Sequence, residues 1–72
     1  MKGPAMTIRV NDQPREVADR ATLLDLLQEL ALAGRKGVAV AVNDTVVPRG
    51  DWPARPLAAS DRVLVIQATQ GG

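Results

Sequence analysis

The stretch that decides the fold is residues 61–68, which read DRVLVIQA. Its four consecutive apolar residues, 63–66, predict a strand at the centre of a sheet with both faces buried. Pro14 lies in an earlier strand-like segment, residues 13–17. Because proline cannot donate to a sheet ladder, that segment is predicted at an edge. The strand before it, residues 7–10, is then free to lie beside residues 61–68 in the middle of the sheet.

One helix is predicted to cover this sheet. Thr22 and Asp25 have the spacing of an N-terminal capping box. Gly34 is expected to take the left-handed conformation that ends the helix. The apolar side chains recur at i, i+3, i+4 and i+7 and predict a stripe that packs on the sheet: Leu23, Leu26, Leu27 and Leu30.

Two Asn-Asp pairs predict hairpin turns, since both residue types tolerate positive φ. Asn11-Asp12 would join residues 7–10 to 13–17, and Asn43-Asp44 would join residues 38–42 to a short strand at 45–47. In the third strand, alanine alternates with valine. The small alanines are expected to allow the helix to lie close to that face.

Residues 49–60 are predicted to form an irregular loop. Pro48, Pro53 and Pro56 disfavour regular structure there. The segment is long for a loop in a compact domain, so it should be anchored. Trp52 and Leu57 are expected to pack it onto the core.

The element order predicts an α+β fold of the β-grasp (ubiquitin-like) type, with a mixed four- to five-stranded sheet packed on one helix. A helical crossover joins the second and third strands and should be right-handed. The expected organisation is a disordered N-terminal lead at residues 1–5, the domain at 6–68 and a flexible Gly-Gly tail at 69–72.

Composition excludes several classes of function. The 72-residue chain has no cysteine and no histidine, so it lacks disulfides, thiolate metal ligands, thiol nucleophiles and the commonest general base. We expect no catalytic residues, no bound metal and no enzyme activity. A net charge of +1 with one aromatic residue does not indicate nucleic-acid binding. No apolar run approaches a membrane span, and a cytoplasmic protein is expected.

The chain ends on Gln70-Gly71-Gly72. Two glycines without Cβ atoms make a slim end that can enter a narrow channel. A carboxylate is a poor electrophile, so chemistry on it requires activation, most simply as an acyl-adenylate made with ATP. The pattern is therefore typical of a protein that is itself a substrate. A frayed end without function is the alternative interpretation.

Four motifs stand out in the chain: Val10-Asn11-Asp12, Ala39 to Val42 followed by Asn43, Val46-Val47-Pro48-Arg49 with Trp52, and Gln67 followed by Gly71-Gly72. They resemble those of the ubiquitin-like sulfur carriers of bacteria, and most closely the ThiS-like carriers of thiamine biosynthesis. The resemblance covers residues 6–72. Ser60-Asp61-Arg62 departs from it, because the family often has a glycine-containing acidic turn there, and Thr69-Gln70 replaces residues that are commonly small or apolar.

This resemblance implies that the Gly72 carboxylate is adenylated by a ThiF-like adenylating enzyme that uses ATP and magnesium. A cysteine persulfide sulfurtransferase then supplies sulfur, and the thiocarboxylate serves a ThiG-like thiazole synthase. Gly71 would let the tail extend past bulky channel walls of a partner, and Gln70 with Thr69 either makes polar contacts with that partner or is a solvated linker. The alternatives are carriers for molybdopterin synthase, tRNA thiolation or cysteine synthesis, and a ubiquitin-like conjugation module.

Four further residues are candidates for partner contacts. Exposed apolar side chains of strands three to five, with Val40 and Leu64 as examples, would form a docking patch. Trp52 is either a partner-facing anchor or a side chain that packs the long loop onto the domain. Arg49 either meets an acidic partner surface or is a solvated charge.

Overall fold

The computed structural model describes residues 5–68. Its elements are β1 (Ala5–Val10), β2 (Gln13–Ala18), α1 (Leu23–Glu29), β3 (Val38–Val42), β4 (Thr45–Val46), a 3₁₀ helix (Arg49–Ala54) and β5 (Arg62–Gln67). In the described chain the five strands form a mixed sheet with the order β2-β1-β5-β3-β4. Strands β1 and β5 are parallel, and the other neighbours are antiparallel. The predicted β-grasp fold is therefore confirmed.

Strand β5 lies at the centre, as predicted from its apolar run. It pairs with β3 over five residue pairs, from Val38↔Gln67 to Val42↔Val63. Its pairing with β1 is shorter and includes Val10↔Val63. The proline-containing β2 is an edge strand, also as predicted. Strand β1 begins at Ala5, the last residue of the lead expected at 1–5.

Helix α1 begins as the sequence predicts. The Asp25 amide donates to Thr22 Oγ1 (3.2 Å), and the Thr22 amide donates to Asp25 Oδ2 (2.9 Å). This capping box satisfies backbone donors that a helix N-terminus otherwise leaves unpaired. Of the predicted leucine stripe, Leu23, Leu26 and Leu27 are buried, and Leu30 is partly buried against the core.

The predicted end of α1 at Gly34 is wrong. The helix ends at Glu29 with Leu30 as its C-cap residue, and Ala31 takes the left-handed conformation at φ +61°. The Leu32 amide donates to the Leu27 carbonyl (2.8 Å), and the Ala31 amide donates to the Gln28 carbonyl (3.0 Å). These are the two bonds of a Schellman motif. The early end lets Leu32 pack against the core, which a continuing helix would not allow.

The segment 49–60 is more regular than predicted, because it begins with the 3₁₀ helix. Pro53 lies inside this helix, which is held on either side of it, because the Asp51 amide donates to the Pro48 carbonyl and the Arg55 amide donates to the Trp52 carbonyl. The predicted anchors are confirmed: Trp52 and Leu57 are both buried.

The sheet has an inner face, covered by α1 and the 3₁₀ helix, and an outer face without a covering element among residues 5–68. The prediction that β5 is buried on both faces is wrong, since Val63 is buried while Leu64 and Ile66 are 49% and 56% exposed. The alanines of β3 also lie opposite to expectation. Val40 and Val42 face the core, and Ala39 and Ala41 alternate with them on the outer face.

Candidate functional site

The outer face carries an apolar surface, which we call the outer patch. It consists of Ala39 and Ala41 of β3, Val46 of β4, and Leu64 and Ile66 of β5. Strand register places Ala41 between Leu64 and Val46 and places Ala39 opposite Ile66. Three large apolar side chains, at 46, 64 and 66, are well exposed there. Contiguous exposed apolar surface on a small domain marks an interaction site more often than isolated exposed residues do.

Two arginines lie beside the outer patch. Arg9 of β1 and Arg62 of β5 are register partners, and both line a groove of about 380 Å³ that also reaches Leu64. The Arg62 guanidinium forms an exposed ion pair with Asp44 (3.0 Å). Such an exposed pair contributes little to stability. Asp12 and Asp44 line the same groove, so the outer patch is bordered by charges of both signs.

Both hairpin turns hold β5 through their asparagine side chains. Asn11 Oδ1 accepts from the Val65 amide (2.8 Å) and Asn11 Nδ2 donates to the Val65 carbonyl (3.3 Å). On the other side of β5, Asn43 Oδ1 accepts from the Arg62 amide (2.9 Å). Because β1 pairs with β5 only briefly, these side chains supplement the ladder and keep the strand that carries Leu64 in register.

The asparagine at position 43 also connects to a buried carboxylate. Asn43 Nδ2 donates to Asp61 Oδ1 (3.0 Å), and Asp61 Oδ2 accepts from the Ala58 amide (2.8 Å). Asp61 is buried. The adjoining Ser60 takes φ +70°, a left-handed conformation that glycine adopts without strain.

The individual site predictions have different outcomes. Leu64 is exposed in the outer patch as predicted, but Val40 is 1% exposed, so the prediction that it belongs to a docking patch is wrong. For Trp52 the core-packing alternative is correct. Arg49 is not simply solvated, because its guanidinium donates to the carbonyls of Ala33 and Arg35. The predicted Gln70, Gly71 and Gly72 lie outside the described residues.

Sequence reasoning missed Val46, Ile66, Arg9 and Arg62 as members of this surface. A period-2 reading of β5 could have found Ile66 and Arg62, since they alternate with the inward Val63 and Val65. No such signal identifies Val46, whose strand has only two residues.

The described residues offer neither a metal site nor a membrane-spanning helix. Within residues 5–68 no three His, Cys, Asp or Glu side chains are grouped as metal ligands. In the same part of the chain, no helix has the length and apolar character needed to cross a membrane.

A mixed five-stranded sheet around one helix, with an open apolar face on its central strand, defines a ubiquitin-like β-grasp protein. Comparison with known proteins specifies the family. A model of the ThiS family matches residues 8–72. The chain therefore belongs to the ThiS family.

Known relatives are similar to this protein over almost the whole chain. The sulfur carrier protein ThiS of Escherichia coli (strain K12) is 34% identical over 67 residues, which covers 93% of this chain and all of that protein. The crystal structure of ThiS from Geobacter metallireducens superposes with a TM-score of 0.78 at 29% identity, covering 93% of this chain and 100% of that one. A solution structure of a thiamine biosynthesis protein from the same organism gives a TM-score of 0.76 at 29% identity, with 93% and 88% covered.

Proposed function

We propose that this protein is a sulfur carrier for the thiazole ring of thiamine, and that it acts as a protein substrate without catalysing the reaction. The Gly72 carboxylate attacks the α-phosphate of ATP on a ThiF-like enzyme with magnesium, and pyrophosphate leaves. The terminal sulfur of a cysteine persulfide then attacks the acyl carbon and expels AMP. A second thiol attacks the cysteine sulfur of the resulting acyl disulfide, which forms a new disulfide and releases the thiocarboxylate on Gly72. The thiocarboxylate then passes its sulfur to a ThiG-like thiazole synthase.

The family match over residues 8–72, which includes the Gly71-Gly72 end, carries this proposal. The composition supports it. Since the chain has no cysteine, it cannot carry sulfur as a persulfide, and a thiocarboxylate at the terminal carboxylate is the simplest alternative. A slim end of two glycines suits a narrow enzyme channel. The use of ATP is consistent with a cytoplasmic protein.

We further propose that the outer patch docks on the adenylating enzyme. Two of the three large apolar side chains of the patch, Leu64 and Ile66, are on β5, the strand that precedes Gly72 in the chain. Arg9 and Arg62 flank the patch together with Asp12 and Asp44, so the complementary enzyme surface should present charges of both signs beside an apolar centre. Leu64 and Ile66 are the expected anchors, because covering their exposed apolar surface on docking is favourable.

The test is the intact mass of the protein after incubation with ATP, magnesium, a ThiF-like enzyme and a persulfide donor. The expected result is a gain equal to one sulfur replacing one oxygen, mapped to Gly72. Gly71→Val should abolish that gain because a branched side chain widens the end of the chain. Gly34→Ala is the matched control, since a Cβ at Gly34 meets open space, and it should gain sulfur normally.

Two results would contradict the proposal. An unchanged mass, with the enzyme active on its own carrier, would favour a carrier for molybdopterin synthase, tRNA thiolation or cysteine synthesis. An isopeptide bond to lysines of other proteins would instead indicate a conjugation module.

A further inference from the structure

Gly37 holds the last described residue of the chain. The Ala68 amide donates to the Gly37 carbonyl (2.7 Å), which extends the β3–β5 pairing by one residue beyond Gln67. Gly37 has φ +77°, and a Cβ there would lie 3.2 Å from the Ala68 carbonyl oxygen. Both the backbone conformation and the close approach therefore favour glycine at this position. Gly37 fixes the point from which the chain continues toward residue 69.

Gly37 ends the loop between α1 and β3, residues 30–37, and this loop is held by Arg49 of the 3₁₀ helix. The Arg49 guanidinium donates from Nη1 to the Ala33 carbonyl and from Nη2 to the Arg35 carbonyl. Arg35 is two residues before Gly37. A planar guanidinium can satisfy two carbonyls at once, whereas a lysine ammonium presents a single point charge.

Arg49 is itself fixed by Trp52. Its guanidinium carbon lies 4.6 Å from the centre of the Trp52 ring, a cation–π distance. Trp52 is 1% exposed, and its Nε1 donates to the Val47 carbonyl (3.0 Å). The indole therefore anchors the arginine to the core. The part of the motif outside the outer patch, Val47-Pro48-Arg49 with Trp52, is in this way a connected unit.

We propose that Arg49 and Trp52 are positioning residues for the reaction at Gly72. They hold the 30–37 loop, and the loop holds Ala68 through Gly37, so they fix the last described point of the chain before the residue that reacts. This inference rests on the proposed function. Arg49 acts through Gly37 without touching the enzyme, so it should affect turnover and not docking.

Two readouts on Arg49→Lys test the proposal, and Arg20→Lys is the matched control because Arg20 lies on the turn between β2 and α1. The first readout is site-resolved amide hydrogen exchange. Loss of the two carbonyl bonds should accelerate exchange at Ala68 by about fivefold, while Val63 and Val65 stay unchanged. Gly37→Ala changes the residue that accepts the hydrogen bond from Ala68, and it should also accelerate exchange at Ala68.

The second readout is the steady-state kinetics of adenylation. Arg49→Lys should lower kcat by about threefold or more with an unchanged KM. The reason is that a less well held Ala68 reduces the fraction of docked complexes in which the reacting groups are correctly placed. Unchanged Ala68 exchange in Arg49→Lys would overturn the proposal. So would faster exchange with normal kcat, or a raised KM alone, which would indicate direct contact with the enzyme. A wild-type chain that is never adenylated would contradict the proposed function, while the exchange result would still decide the contact itself.

Discussion

Asn11 and Asn43 each combine a left-handed backbone with a side chain that bonds β5. Their φ angles are +51° and +52°, and the following residues, Asp12 and Asp44, are also positive in φ. Most residue types are strained in this region, and asparagine is among the few that tolerate it. Glycine would tolerate the same backbone conformation, but it has no side-chain amide that could bond β5. The choice of asparagine therefore serves the turn and the register of β5 together.

These two functions of Asn11 can be separated by substitution. Asn11→Gly keeps the turn and removes the bonds to Val65, and should lower the free energy of unfolding by about 1 kcal/mol. Asn11→Ala also adds left-handed strain and should lower it by about 2 kcal/mol. Asp12→Gly is the control, expected to be neutral or stabilising. Urea unfolding followed by Trp52 fluorescence measures all three, and equal losses for glycine and alanine would refute the role of backbone strain.

At the scale of elements, the end of α1 is where the prediction from sequence differs most from the structure. Glycine is the usual residue at the left-handed position of a Schellman motif, yet alanine occupies it here at position 31. Ala31→Gly should raise the free energy of unfolding by about 1 kcal/mol, because it removes the steric strain of a left-handed alanine.

Gly34→Ala should also raise it, by about 0.4–1 kcal/mol, since Gly34 is not left-handed and a Cβ there meets open space. Thermal or urea unfolding measures both variants. If Gly34→Ala destabilised the protein and Ala31→Gly did the same, the helix would end at Gly34 in solution.

Local chemistry explains which elements the sequence could predict. The capping box at Thr22 and Asp25, the two Asn-Asp turns and the edge strand with Pro14 all depend on neighbouring residues, and the structure has each of them. The helix end depends on Leu32 reaching the core, which is a tertiary contact. Such a contact overrides the local preference for glycine.

The same distinction holds for the candidate site. The exposure of Leu64 could be predicted only as one of several possibilities. A continuous apolar run does not indicate which face of the sheet is covered by other elements. The outer patch arises from register across three strands. Ala41 meets Leu64 on one side and Val46 on the other. No local pattern around any one of these residues encodes that arrangement.

For the molecule as a whole, one helix and one 3₁₀ helix cover a single face of the sheet. The inner face contains the core, from Ile8 of β1 to Val40 of β3, and the described residues leave the outer face open. Apolar residues of one central strand therefore have two different roles: Val63 stabilises the fold, and Leu64 is available to a partner. Stability and docking should then respond to different substitutions.

Leu64→Ser and Val40→Ala test this separation. Leu64→Ser removes an apolar side chain that is 49% exposed, so the free energy of unfolding should change by only about 0.5 kcal/mol. Its KM for adenylation should rise about tenfold with kcat unchanged, as expected when an interface anchor is lost. Val40→Ala instead deletes buried methyl groups and should destabilise the fold by about 1–3 kcal/mol.

Below its unfolding temperature, Val40→Ala should be adenylated with a normal KM, because its outer face is intact. Denaturant unfolding and adenylation kinetics on the same preparations measure both quantities. A normal KM for Leu64→Ser, together with a raised KM for Val40→Ala, would place the docking surface elsewhere. The opposite pattern would show that the face left open by the fold is the face that the enzyme binds.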